Sequence, residues 1–172
     1  MSGENHIKVL QFARTAVLSA LAVALSFLEG MLPDLPIPGA KLGLANLAVM
    51  TSIDIDGLLG GLCVSIIKSG FAVVTRGPTA GVMSLCGSVL STFVMWLILR
   101  YDKNKIGYVG IGICGAIGHN VGQMCVARII MGDVIKYYVP FLLIIGLAAG
   151  AVTGAVNSVL IPALKKAERN NG

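Results

Sequence analysis

Apolar runs of about 20 residues recur along nearly the whole chain, the length an α-helix needs to cross the hydrocarbon core of a bilayer. Lipid offers no partner for a backbone N–H or C=O, so each run must satisfy its own backbone, which predicts helices. Composition agrees. Of 172 residues, 56% are hydrophobic and only 12% charged, and the mean hydropathy of +0.87 lies far above that of a soluble domain of this size. No charge-rich block is long enough to fold as a separate aqueous domain, so residues 1–172 read as one transmembrane domain of an all-α integral membrane protein.

Apolar length and turn residues place six spans, at about 12–32, 39–53, 57–75, 79–99, 107–131 and 139–164. The first has a basic start, Lys8 and Arg14, resembling a secretory signal. Ala22 and Ala24 lie inside the run rather than after it, so it reads as a retained helix. The second span is short: some 15 residues cover only about 22 Å of a roughly 30 Å core, so it must be short, tilted or shielded by protein. Pro33, Pro36 and Pro38 before it exclude a helix and predict an ordered cap over one membrane face.

Basic residues set the orientation. A cytoplasmic N-terminus collects Lys8, Arg14, Arg100, Lys103, Lys105, Lys165, Lys166 and Arg169 on that side and leaves Lys41, Arg76, Arg128 and Lys136 near the outside, with both termini cytoplasmic. This asymmetry accounts for a pI near 9.2 without a nucleic-acid partner, and a basic surface also suits contact with anionic lipid. Cys63, Cys86, Cys114 and Cys125 all fall inside spans without paired metal or redox spacing, and read as reduced packing residues. With His119 the one histidine besides His6, no metal site is expected. No cofactor and no catalytic residue is expected either. Lys68-Ser69 follows Ile67 where a phosphate-cradling loop needs glycine, and Asp54 with Asp56 reads as a cap for the next helix.

The polar residues inside the spans carry the functional reading. A charge at the depth of Lys68 is expensive unless it has a task or a partner. Gly61, Ser65, Lys68 and Thr75 line one stripe of the third helix, with Ser69 alongside, and Ser84, Ser88, Ser91 and Thr92 give the fourth a matching face. In the fifth helix Gly115, Gly118 and Gly122 are expected on one side, with His119, Asn120 and Gln123 near the opposite one. Together with Asn46, Lys41 and, at the outer end of the third helix, Arg76, these residues predict an outward-opening polar pocket under the proline-rich segment, positive enough to favour an anionic ligand. The structural alternative for Lys68 is an ion pair with Glu29 or Asp133. Small residues at spacing of four give flat stripes, Ala16, Ala20 and Ala24 in the first helix and Gly146, Gly150 and Gly154 in the sixth. The glycine stripe reads as internal packing, and the alanine stripe as packing or as a docking face for another membrane protein.

Pro38-Gly39-Ala40-Lys41-Leu42-Gly43-Leu44-Ala45-Asn46 and Gly118-His119-Asn120-Val121-Gly122-Gln123 resemble the bacterial Gx transporter family, whose members are often labelled heptaprenyl diphosphate synthase component I. The six-span plan is in turn similar to the S-components of energy-coupling-factor (ECF) transporters. That resemblance implies a bacterial cell-membrane protein that binds a small vitamin-like molecule near the outside. It would dock through Ala16, Ala20 and Ala24 onto a transmembrane coupling subunit driven by two ATPases. The expected substrate-binding residues are Lys41, Asn46, Lys68, Ser84, His119, Asn120 and Gln123. The expected action is binding and reorientation of a small-molecule substrate, with no enzymatic step. The alternatives are a membrane subunit associated with polyprenyl diphosphate synthesis and a self-sufficient ion-coupled carrier.

Overall fold

The computed structural model describes residues 3–31, 43–101 and 103–171. Regular structure among them is helical throughout: α1 (Gly3–Gly30), α2 (Asn46–Arg76), α3 (Pro78–Tyr101), α4 (Lys103–Met131), a 3-10 segment (Gly132–Tyr137) and α5 (Val139–Asn171). Five helices are long and apolar enough to cross a membrane. The proline-rich segment expected as a cap, and Lys41 within the expected pocket, lie outside the described residues.

The second of these five helices is not a straight rod. Gly57 has φ 79° and ψ −167°, a region that essentially only glycine occupies. In a straight helix Asn46 and Lys68 would stand about 33 Å apart. Instead Lys68 Nζ donates to Asn46 Oδ1 at 2.7 Å, and a β-carbon on Gly61 would lie 2.4 Å from Ile53 Cγ1. The chain therefore reverses at Gly57, and residues 46–56 form a short arm antiparallel to a long arm, 58–76. The short arm measures about 16 Å and the long arm about 28 Å. Among the described residues five helices are thus long enough to cross a membrane where six spans were expected, and the short arm of the second is too short to cross a bilayer unaided.

Its neighbours make up for that length. Ala48, Val49, Met50, Thr51, Ser52 and Ile53 of the short arm are all buried, against Leu18 and Ala22 of α1, Val64 of the long arm, Met95 of α3 and Ile111 of α4. From α5, Asn157 Nδ2 donates to the Leu47 carbonyl at 3.1 Å, while Asn157 Oδ1 accepts from Thr51 Oγ1 at 2.9 Å. The short arm is the hub of the bundle, and its Thr51 hydroxyl and Leu47 carbonyl are met by protein where lipid could not meet them. Replacing Gly57 with alanine should cost about 1–3 kcal/mol through backbone strain alone, seen as a lower thermal midpoint in detergent. An unchanged midpoint would show that the reversal tolerates an ordinary residue.

Around this hub each helix packs on the next in sequence, and α5 closes back on α2. The α4–α5 contact is a backbone crossing. A β-carbon on Gly150 would lie 2.7 Å from the Gly112 carbonyl, one on Gly154 would lie 2.5 Å from that of Tyr108, and one on Gly146 would lie 2.0 Å from Asn120 Nδ2. The glycine stripe is thus internal packing, as expected. Gly122 likewise meets α3, where its β-carbon would come within 2.6 Å of the Cys86 carbonyl.

Three expectations need correction. His119 sits beside the glycine face of α4 rather than opposite it, close enough that a β-carbon on Gly87 would lie 2.7 Å from its carbonyl. Residue 119 is only about 40° round the helix from Gly115. Thr75 is exposed and does not continue the buried stripe of Gly61, Ser65 and Lys68. Cys63, Cys86 and Cys125 are exposed rather than packed inside, with Cys114 half-buried, and all four are free. A thiol is apolar enough to face lipid as readily as core.

One end of the bundle carries an ionic cluster. Arg14 of α1 bonds Glu168 of α5 at 2.8 Å and stands 3.9 Å from Asp56, while Lys165 pairs with Asp54, which also accepts from Tyr108 Oη at 3.3 Å. The two aspartates expected to cap the next helix thus tie α2 to α1 and α5. At the other end of the short arm the candidate site lies.

Candidate functional site

Each helix delivers its polar residues by periodicity. On α1, Leu18, Ser19, Ala22, Ser26 and Glu29 recur at helical spacing and are buried, while Ala16, Ala20 and Ala24 face out. Ser26 and Glu29 are therefore carried inward near the end of α1. There a Glu29 carboxylate oxygen accepts the backbone N–H of Leu44, just before the short arm. On the long arm Ser65, Lys68 and Ser69 share the inward stripe. Ser65 hydrogen-bonds Thr92 at 2.8 Å, and Ser69 donates to the Ser65 carbonyl at 2.7 Å and meets Ser84 at 3.3 Å. This hydroxyl ladder joins the long arm to α3 and leads up to Lys68.

Lys68 is only 2% exposed, and the hydrogen bond that fixes its ammonium is the one to Asn46. A neutral amide orients the cation without cancelling its charge. From α4, His119 and Gln123 are one turn apart on the same face, with Gln123 Nε2 and His119 Nε2 2.7 Å from each other. The amide nitrogen donates, so the ring nitrogen accepts. Among the described residues Gln123 Oε1 is then left buried with no hydrogen-bond partner, while His119 Nδ1 lies against the Gly87 backbone. Buried polar groups are nearly always paired, so unused capacity here points to a missing partner.

Ser26, Glu29, Gly43, Lys68, Arg76, Ser84, His119 and Gln123 line one polar cavity of about 10 Å³, room for a single water. Among the described lining residues two cations face one carboxylate across it. Gly43, with φ +84°, brings its backbone so close that a β-carbon would lie 3.0 Å from Asn46 Nδ2 and 3.7 Å from the His119 ring. Of the residues expected in the pocket, Lys68, Ser84, His119 and Gln123 line this cavity, and Asn46 reaches it through Lys68. Asn120 does not. It is about 100° round α4 from His119, donates to the Leu142 carbonyl of α5 at 2.8 Å and packs on Gly146. Of the two acids weighed as partners for Lys68, Glu29 shares its cavity, whereas Asp133 is bonded to Arg128 at 2.5 Å.

The sequence matches the profile described as Heptaprenyl diphosphate synthase component I over residues 18–160, which takes in most of the chain and every described residue of the cavity. The chain belongs to that family. No curated protein and no solved structure matches it. Membership agrees with the resemblance carried by the Gly118–Gln123 motif, which in the structure supplies both α4 residues of the cavity. Sequence reasoning missed Ser26 as a lining residue and weighed Glu29 only as a counter-ion. The signal for both was present, since they fall on the buried stripe of α1 set by Leu18 and Ala22.

Proposed function

We propose that this chain is the substrate-binding membrane subunit of an ECF-type importer for a small anionic metabolite, vitamin-like or drawn from isoprenoid and quinone metabolism. The observation that carries the reading is the cavity at the Glu29 end. In an apolar bundle it gathers Lys68, Arg76, His119 and Gln123 around unused hydrogen-bonding capacity, and polar groups at membrane depth mark substrate paths. The outward alanine face of α1, the least buried of the five long helices, supports docking on a coupling subunit that two ATPases drive. In this reading the short arm counts as a sixth crossing shielded by protein, both termini are cytoplasmic, and the cavity opens to the outside of a bacterial cell membrane. The chain binds and reorients without catalysing a reaction.

The family's description favours a second reading, a membrane subunit associated with polyprenyl diphosphate synthesis. Against it, Asp54 is paired with Lys165, and Asp56, 3.9 Å from Arg14, lies with it at the far end of the short arm from the cavity, whereas such chemistry needs carboxylates holding magnesium against diphosphate. Native mass spectrometry of the purified protein in mild detergent, with affinity capture of coupling and ATPase subunits, tests the proposal. A stoichiometric small molecule and a captured coupling module are expected. An empty protein that captures no module and supports synthase activity with a soluble partner would overturn it.

A further inference from the structure

The polar cavity adjoins a larger, mostly apolar groove. Ser26, Phe27, Gly30 and Met31 of the α1 end, with Phe71, Thr75 and Arg76 of the long arm, enclose about 350 Å³, within the size range of small-ligand sites. Two residues line both spaces, Ser26 and Arg76. Ser26 is buried and Arg76 half-buried, so a cation stands at the junction of a polar pocket and an apolar trough between α1 and the long arm. Phe27 and Met31 are exposed on that side.

We infer that the site takes an amphiphile, with an anionic phosphate or carboxylate head at Arg76, where the groove meets the polar cavity that holds Lys68, and a short apolar tail lying in the groove between α1 and the long arm. This rests on the uptake reading and narrows its substrate class. Charge complementarity decides the polarity of the head. Among the described lining residues Arg76 and Lys68 outnumber Glu29, whose carboxylate already accepts the Leu44 N–H, and Arg76 presents planar donors suited to such a head. The tail is drawn into the groove by the ordinary gain from covering apolar surface. Entry is then sideways, from the bilayer, without passing an aqueous pore.

Gly30 allows a clean test, because a β-carbon there meets no atom of the described residues within 4 Å. Gly30→Phe fills the groove without straining the fold, which an unchanged thermal midpoint checks. Full-length protein in zwitterionic-lipid nanodiscs is titrated with octyl phosphate and with inorganic phosphate. Octyl phosphate should bind roughly tenfold or more tighter, Gly30→Phe should remove that advantage while leaving phosphate affinity unchanged, and Lys68→Ala should weaken both. Equal affinities with Gly30→Phe silent would overturn the amphiphile while leaving the anion-binding reading intact. Binding of neither probe would overturn both. Nanodiscs with added anionic phospholipid separate the sources: competition with octyl phosphate identifies a bilayer lipid as the occupant, and its absence identifies a free amphiphile.

Discussion

Gly150→Leu is expected to leave little folded protein. Its β-carbon would meet the Gly112 carbonyl at 2.7 Å, the Ala116 β-carbon at 2.8 Å and the Ile113 α-carbon at 2.9 Å, and two of these three atoms are backbone that cannot rotate aside. The remaining leucine atoms would force α4 and α5 apart along the crossing that also holds Gly154 against Tyr108 and Val109. Overpacking of this kind costs about 1–3 kcal/mol or more, and separation would add the loss of contacts that, in lipid, no hydrophobic drive replaces. Against a total stability of about 5–15 kcal/mol that is a large fraction. Size-exclusion chromatography and thermal melting in detergent read the effect. The control is Gly70→Leu, whose β-carbon meets nothing within 4 Å and which should behave as wild type. Wild-type melting of Gly150→Leu would mean that the two helices do not approach as closely as described.

Lys68→Ala should reduce ligand affinity on the order of a hundredfold while the protein stays folded. Truncating one partner of a buried, hydrogen-bonded charge pair costs about 2–5 kcal/mol, and about 1.4 kcal/mol is a factor of ten. Folding survives because the vacated space joins an existing polar cavity, where water can serve Asn46 and Glu29. Occupancy by the co-purified molecule in native mass spectrometry, compared with the thermal midpoint, separates this from a purely structural role. A structural ion pair would behave oppositely, losing about 3–5 kcal/mol of stability with affinity unchanged, and that result would remove Lys68 from the site.

Much of this architecture was legible from residue order alone. The long apolar segments and their turns follow from length and from glycine and proline placement. The α3 boundary lies at Pro78, directly after Gly77 with φ 91° and ψ 169°, a pairing in which glycine supplies the reversal and proline starts the helix. The last helix runs on past the expected residue 164 to Asn171, since Lys165, Lys166, Ala167, Glu168 and Arg169 are all strong helix formers whether or not lipid surrounds them. Within the site, the pairing of Lys68 with Asn46 was not legible: it joins residues 22 positions apart and depends on the reversal at Gly57.

The sequence by itself determined that the chain is helical and membrane-embedded, and which residues are too polar to face lipid. Those are properties of single segments, set by the cost of an unsatisfied backbone group or an unpaired charge in hydrocarbon. Tertiary structure alone decided where those polar residues go. Periodicity gives the angle between side chains on one helix but not the direction of its neighbour, so His119 and Gln123 turn to the cavity while adjacent Asn120 is taken up by α5. The same packing made the shortest arm the most enclosed, because five surrounding helical arms supply the contacts that its length denies it in lipid.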